Sequence, residues 1–325
     1  MGISHYIKEI GRGARGAKPL SREQSRDLFG QVLDGRVTDL EVGAFCLAMR
    51  IKGETPEELG GFLDATHERL ARFPAPQGRP LVVIPSYNGA RKLPVLTPLL
   101  ALLLAREGLP VLLHGSQTEA RRVTASSVLE AMGLAPLPSV RAIAEGELVH
   151  ATTELLCPGL KRLLDVRQVV GLRNPGHSVV KLMLPAEGPN QLLISSYTHP
   201  AYAESMAETF ALLQMNALLS RGLEGEVAAD PRRTGQVDGF LQGRRIELQA
   251  QQAGTLSEVP GLPEAIDLHS TADYTRRVLD GALPVPEAIA RQVRHVLELA
   301  QALRAPSGEL PSSSHDPAAA AAQAA

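Results

Sequence analysis

From Leu20 to Phe73, apolar residues recur at the three- and four-residue spacing of helices that bury one face. Leu28, Val32 and Leu33 mark one such helix, and Leu40, Val42, Phe45, Leu47 and Met49 mark a second. Thr55-Pro56-Glu57-Glu58 opens a third: Thr55 is a good cap, Pro56 suits the first helical position, and Glu58 completes a capping box. Short joints between short helices predict a small all-helical domain over residues 1–78. A Pro-rich connector from Phe73 to Pro80 ends it, and the pattern then changes. Leu81 to Ile84 and Pro110 to His114 are continuous apolar runs of the kind buried strands show, with an apolar helix from Pro98 to Arg106 between them and another from Ala125 to Met132 after. This alternation predicts a larger α/β domain over 79–304 with a mostly parallel central sheet. Weaker strand signals at Leu192 to Ser195 and Gly225 to Ala228 flank a helix predicted from Ala203 to Ser220. Leu160 to Leu184 reads as helical pieces broken at Asn174-Pro175, and residues 305–325 lack apolar periodicity and are expected to form a mobile tail.

Hydrophobic residues make up 44% of the 325 and charged residues 21%, the balance of a chain that buries a core and is not disordered over most of its length. Cys46 and Cys157 lie in apolar surroundings and are too few for a disulfide framework, so buried reduced thiols and a cytoplasmic location are expected. No stretch approaches the roughly 20 apolar residues that span a bilayer, and the N-terminus lacks a signal-peptide core, so no membrane partner is expected. With 5 Tyr, 6 Phe and no Trp, the chain is poor in rings on which bases could stack; Tyr87 is the one candidate near a strand end.

Net charge is −2, which makes no case for a polyanion partner until its distribution is considered. In residues 1–26, Lys8, Arg12, Arg15, Lys18, Arg22 and Arg26 face only Glu9 and Glu23. In 161–181, Lys161, Arg162, Arg167, Arg173 and Lys181 face only Asp165. Gly11 to Lys18 alternates small and basic residues, giving a pliable arm that could follow a sugar-phosphate backbone. A cationic face further requires Glu204, Glu208, Asp230, Asp238, Glu258, Glu264 and Asp267 to lie elsewhere.

Ile84 to Lys92 runs from strand to turn to helix, where open α/β sheets hold ligands, and the Asn88-Gly89 turn followed by Arg91 and Lys92 suits a phosphate. His114-Gly115-Ser116 ends the second strand and leads to Arg121-Arg122. His114 has two readings, a general base or a satisfied strand-end histidine; with no carboxylate to orient it, the second is expected. Glu224-Gly225-Glu226 reads as an exposed acidic turn in preference to a cation site, and His199-Pro200 as the turn into a helix. No Walker loop, Gly-x-Gly-x-x-Gly, His-Glu-x-x-His or nucleophile elbow is found, so no catalytic residue and no metal ligand is assigned.

The segment from Leu28-Phe29 through Asp34-Gly35, Asp39 to Phe45 and Met49 to Lys52 to Gly53-Glu54-Thr55-Pro56-Glu57-Glu58-Leu59 resembles the N-terminal domain of anthranilate phosphoribosyltransferases. The likeness continues through His114-Gly115 and Val128 to Gly133 and covers most of residues 1–285. It implies the fold shared with nucleoside phosphorylase II enzymes, a small helical domain that mediates homodimerisation and a hinged α/β domain. It also implies that a helix pair near 158–184 returns to the small domain. Three departures bear on activity. The Gly-Thr-Gly-Gly-Asp loop that holds phosphoribosyl pyrophosphate is Pro85-Ser86-Tyr87-Asn88-Gly89 here, with side chains at most close-approach positions. The adjacent Asp-Glu pair that holds magnesium corresponds to Glu224-Gly225-Glu226, and the His-Gly-Asn-Arg motif has become His114-Gly115-Ser116-Gln117.

The chain is more similar to the YbiB branch of that family, through Ile7 to Gly13, Arg50 to Glu54, Ile84 to Lys92, Leu96 to Leu100, Arg173-Asn174 with His177, and Glu224 to Val227. That branch implies a non-enzymatic, sequence-independent nucleic-acid-binding homodimer with basic grooves. Lys8, Arg12, Arg91, Lys92 and Arg173 carry over within matched motifs, and Asn88 and Gly89 form the turn beside them. Arg15, Lys18, Arg121, Arg122, Lys161, Arg162, Lys181, Arg232 and Arg233 are proposed from charge and expected placement. The expected partners are single- or double-stranded DNA, with RNA a second candidate, and a second copy of the chain, with no cofactor. The alternative is a phosphoribosyltransferase or related glycosyltransferase using phosphoribosyl pyrophosphate and magnesium with an altered loop. A nucleotide- or phosphate-sensing module is a third reading.

Overall fold

Each of the first long helices begins where a side chain takes over its unpaired amides. Ser21, Thr38 and Thr55 cap α2 (Arg22–Leu33), α3 (Asp39–Lys52) and α4 (Pro56–His67), each with a capping box closed by Gln24, Glu41 or Glu58. These helices and α1 (Ser4–Ile10) form the helical domain of a computed structural model that describes residues 2–13, 15–119 and 121–304. The expected tail at 305–325, and Ala14 within the basic arm, lie outside the described residues. Phe29 and Phe62 stack with centroids 4.7 Å apart, and Phe45 meets both edge-on. Gly61 lets α4 approach α2 closely: a Cβ there would stand 2.2 Å from the Arg22 carbonyl oxygen.

Seven strands form one sheet in the order β3-β2-β1-β4-β5-β6-β7. These are β1 (Leu81–Pro85), β2 (Val111–His114), β3 (Leu148–Ala151), β4 (Gln191–Tyr197), β5 (Ala217–Arg221), β6 (Val237–Leu241) and β7 (Arg244–Gln249). The first five pair in parallel, and β6 and then β7 add by antiparallel pairing, so that β6 alone runs opposite to the rest of the sheet. Val82, Ile84, Val111, Leu113 and Leu192 face one core, closed by α5 (Thr97–Arg106), α6 (Ala125–Ala131), α11 (Leu268–Leu279) and α12 (Glu287–Ala302). Leu81, Val83, Leu112 and Leu193 face the other, which is continuous with the helical domain. Burial on both faces explains why β1 and β2 are unbroken apolar runs. After α7 (Thr153–Leu156), α8 (Pro158–Val170) packs against α2 and α9 (Gly176–Leu182) against α4, so the chain revisits the helical domain in mid-sequence. No helix among the described residues is long and apolar enough to cross a membrane.

Two expectations from periodicity need correction. The helix expected to reach Ser220 ends earlier: α10 spans Pro200–Leu212, Gln214 turns left-handed at φ 51°, and Ala217–Arg221 is β5. A short apolar run has no periodicity that separates helix from buried strand. Gly225 to Ala228 is not a strand, although Val227 and Ala228 are buried in the sheet's second core.

The helical domain contains a buried ion pair. Lys52 Nζ lies 2.5 Å from Glu58 Oε2, and the Glu58 carboxylate also accepts the amides of Leu20 and Thr55, both at 2.9 Å. Glu58→Ala strands the ammonium and both donors, so denaturant unfolding is expected to show a loss of about 3–5 kcal/mol; a loss below about 1 kcal/mol would contradict this account of the pair.

Candidate nucleic-acid interface

The C-terminal ends of β1, β4 and β5 meet at a rim, and the loop after β1 is held there by carboxylates. Glu226 is buried and accepts from Ser86 Oγ at 2.6 Å, the Gly89 amide at 2.9 Å and Thr97 Oγ1 at 2.9 Å. Glu224 Oε2 accepts the amides of Arg91 and Lys92 at 2.7 and 2.9 Å, and its Oε1 accepts Arg91 Nε at 3.2 Å. The acidic turn is therefore not a solvated one, as the sequence suggested. Both carboxylates point inward because the strand-end loop offers unpaired N–H and O–H groups that burial obliges to find acceptors.

The same contacts revise the expected phosphate turn. Asn88 and Gly89 are buried; Asn88 Oδ1 accepts Arg173 Nη2 at 2.5 Å, and Asn88 Nδ2 donates to the Gly225 carbonyl at 3.4 Å. They build the rim and do not present themselves to solvent. Tyr87 is 3% exposed and donates its hydroxyl to the His177 carbonyl at 2.9 Å, so it offers no ring for stacking.

Beside this loop lies a cleft of about 610 Å³. Arg91, Lys92, Arg122 and Arg173 enter it from the β1 loop, the segment before α6 and the segment before α9. Arg221, Arg232 and Arg233 line the wall after β5. Against these seven cations stand two carboxylates, Glu224 and Asp230. Asp230 was expected to lie away from the cationic face; it lies on it, bonded to Arg232 at 2.9 Å. A second cavity of about 280 Å³ shares Arg173 and Thr198 with the cleft and reaches Met49, Arg50 and Leu59 of the helical domain. Lys181 lines this cavity, its Nζ donating to the Ser196 carbonyl at 2.6 Å, and burial, then Arg173, push its pKa down to about 8.

Other proposed cations lie apart from both cavities. Lys8, Arg12, Arg15 and Lys18 belong to α1 and the segment after it, and Arg12 is paired with Glu9 at 2.6 Å. On α8, Lys161 is paired with Asp165 and Arg162 donates to the Leu33 carbonyl. Arg121 is exposed and lines neither cavity, whereas Arg122 shares Glu119 with Arg167. Arg221 was missed by sequence reasoning, because the segment that carries it was read as a helix leading to an acidic turn. A strand ending Leu219-Ser220-Arg221 would have flagged it as a rim residue.

His114 matches neither of its two readings. It is fully buried, neither ring nitrogen has a partner among the described residues, and burial followed by His150 pushes its pKa down to about 3. Burial likewise pushes His150 to about 4, and burial with Arg173 and Arg167 pushes His177 to about 3. By contrast His199 lies just before Pro200 at the start of α10, the helix-opening turn the sequence suggested.

Residues 4–69 match the helical bundle domain of the glycosyl transferase family. The chain is 39% identical to the Escherichia coli (strain K12) protein YbiB over 299 residues, covering 90% of this chain and 92% of that one. It is 29% identical to the anthranilate phosphoribosyltransferase of Methylobacterium nodulans over 290 residues, covering 85% and 82%. The crystal structure of anthranilate phosphoribosyltransferase from Thermus thermophilus superposes with a TM-score of 0.69 at 22% identity, covering 93% of this chain and 90% of that one. The scaffold is thus that of the phosphoribosyltransferases. The chain belongs to the anthranilate phosphoribosyltransferase-like family, in its YbiB branch.

The buried histidines make a measurable prediction. All three are held neutral in the fold, so the unfolded chain binds protons first and stability falls as pH drops from about 6.5 toward 4, by up to about 1.4 kcal/mol per pH unit for each group. Urea midpoints measured across that range are expected to fall; midpoints unchanged between pH 7 and 4.5 would contradict the burial of these rings.

Proposed function

We propose that the protein binds nucleic acid without sequence preference, through phosphate contacts in the cleft at the strand ends. The observation that carries this reading is the convergence of seven cations on a cleft with two carboxylates, in a chain whose net charge is −2. Lys92 is exposed and has no ion-pair partner among the described residues, and Arg91, paired with Glu224 at 3.2 Å, keeps 62% side-chain exposure. Such groups satisfy phosphates by charge and read no base. DNA is the first candidate and RNA the second.

A homodimer is part of the same reading. Leu40, Leu47 and Ile51 are 85%, 47% and 62% exposed on one stripe of α3, beside an apolar groove of about 250 Å³ that includes Ile7, Ala44 and Ala48. Large apolar side chains in a row call for a cover, and a second copy meeting α3 supplies it while doubling the number of clefts. Leu47→Asp with Ile51→Asp is expected to convert a dimer to a monomer in sedimentation velocity; a monomeric parent protein, or a variant that remains dimeric, would refute this contact.

The named relatives favour a second reading, transfer of a phosphoribosyl group to an aromatic acceptor. The residues present do not fit magnesium-bound phosphoribosyl pyrophosphate. The Gly89 amide is bonded to the buried Glu226, the two carboxylates that would face the metal are separated by Gly225, and Tyr87 and Asn88 stand at close-approach positions. Product formed from anthranilate, phosphoribosyl pyrophosphate and magnesium would promote this reading over the first.

Mobility-shift titrations with unrelated DNA and RNA oligomers test the leading reading. If about five phosphates are neutralised, log K falls with log salt at a slope of about −4 to −5, and little with sequence. Lys92→Glu with Arg233→Glu is expected to weaken binding at least about tenfold, since each reversal removes one phosphate contact and adds a repulsion. Affinity that is flat in salt, or unmoved in the double variant, would sink the proposal.

A further inference from the structure

The loop after β1 already holds an anion, and that anion belongs to the chain itself. Successive amides of Arg91 and Lys92 converge on one oxygen, Glu224 Oε2, with the Arg91 guanidinium on the other. Consecutive N–H groups aimed at one point beside a cation are the donor set that holds a phosphate oxygen. Glu224 lies on the wall of the cationic cleft, yet its side chain is only 7% exposed because it is drawn onto the loop. To reach it, Glu224 adopts φ 56°, a left-handed conformation that a side chain bearing a Cβ enters at a cost.

The two carboxylates of the turn differ in how firmly they are held. Glu226 takes donors from Ser86, Gly89 and Thr97, three groups on the strand end, its loop and α5, and is buried. Among the described residues, Glu224 takes its donors from Arg91 and Lys92 alone, both exposed, and sits beside open cleft. One is a strut; the other can leave without disturbing the sheet.

We propose that the Arg91–Lys92 amide pair is a phosphate site and that Glu224 is its built-in competitor: a phosphate group entering the cleft replaces the Glu224 carboxylate on these amides. Occupation by a nucleic-acid phosphate rests on the function proposed above, whereas the site itself suits any phosphate group. Exchange of one anion for another leaves the amides satisfied throughout, and it frees the strained turn from its left-handed hold. Polyanions therefore bind against an internal carboxylate, and removing that carboxylate strengthens binding.

The test follows the backbone amides of Arg91 and Lys92 by nitrogen-15 NMR in the full chain. Glu224→Gly removes the competitor and suits the positive φ; Glu224→Gln keeps the side-chain length without the charge and serves if the glycine variant does not fold. Asp230→Asn removes the other carboxylate of the cleft and controls for charge alone. In the first arm, inorganic phosphate is expected to shift both amides in Glu224→Gly at concentrations at least about tenfold lower than in the parent, as loss of a charge-assisted hydrogen-bonded competitor implies, with no such gain in Asp230→Asn. In the second arm, a DNA oligomer moves the same amides and binds Glu224→Gly about tenfold more tightly. Amides that ignore phosphate in a folded Glu224 variant, or an equal gain in Asp230→Asn, would overturn the proposal. A response to phosphate without one to DNA keeps this site and removes the nucleic-acid reading; DNA binding without an amide response does the reverse.

Discussion

Glu226 ties the functional rim together. Its carboxylate is the acceptor for a serine at the end of β1, a glycine amide in the following loop and a threonine at the start of α5, all within 2.9 Å. A buried carboxylate with fewer donors would be costly, and those donors without it would be orphaned polar groups at the edge of an apolar core. The loop that carries Arg91 and Lys92 is consequently fixed to the turn after β5, and cations as distant in sequence as Arg91 and Arg233 share one cleft. Asn88 extends the tie by accepting Arg173, which connects the rim to the segment before α9.

The cleft explains how a chain of slightly negative net charge can carry a positive surface. Charge is not averaged over a folded protein; it acts over about a Debye length, near 10 Å at moderate salt. Acidic residues beyond that distance are screened from a ligand in the cleft, while Lys92, Arg173 and Arg221, which have no ion-pair partner among the described residues, act on it together. The N-terminal basic residues contribute to a different surface, and Arg12, Lys161 and Arg162 are engaged with Glu9, Asp165 and the Leu33 carbonyl.

Much of the scaffold is legible in the sequence because local chemistry and global fold agree there. Thr55, Pro56 and Glu58 announce α4, and the unbroken apolar runs at Leu81 and Val111 announce strands buried on both faces. Legibility fails where the deciding contact is distant. Nothing near Glu224 tells that its acceptor role is to amides 132 and 133 positions away, and nothing near Tyr87 tells that its ring is covered. His114 is the hardest case: its environment is set by β3, an edge strand whose short, mixed sequence Leu148-Val149-His150-Ala151 gives no clear signal. Arg122, Arg232 and Arg233, proposed from charge and expected placement, line the cleft, whereas Arg121, proposed on the same grounds, does not.

The central claim is that a polyanion lies in the cleft at the strand ends and not along the N-terminal segment. Lysine acetylation, read by mass spectrometry with and without a DNA oligomer at low salt, tests it most directly. The account predicts that Lys92 is shielded when DNA is bound; a Lys92 that acetylates equally with and without bound DNA would contradict it.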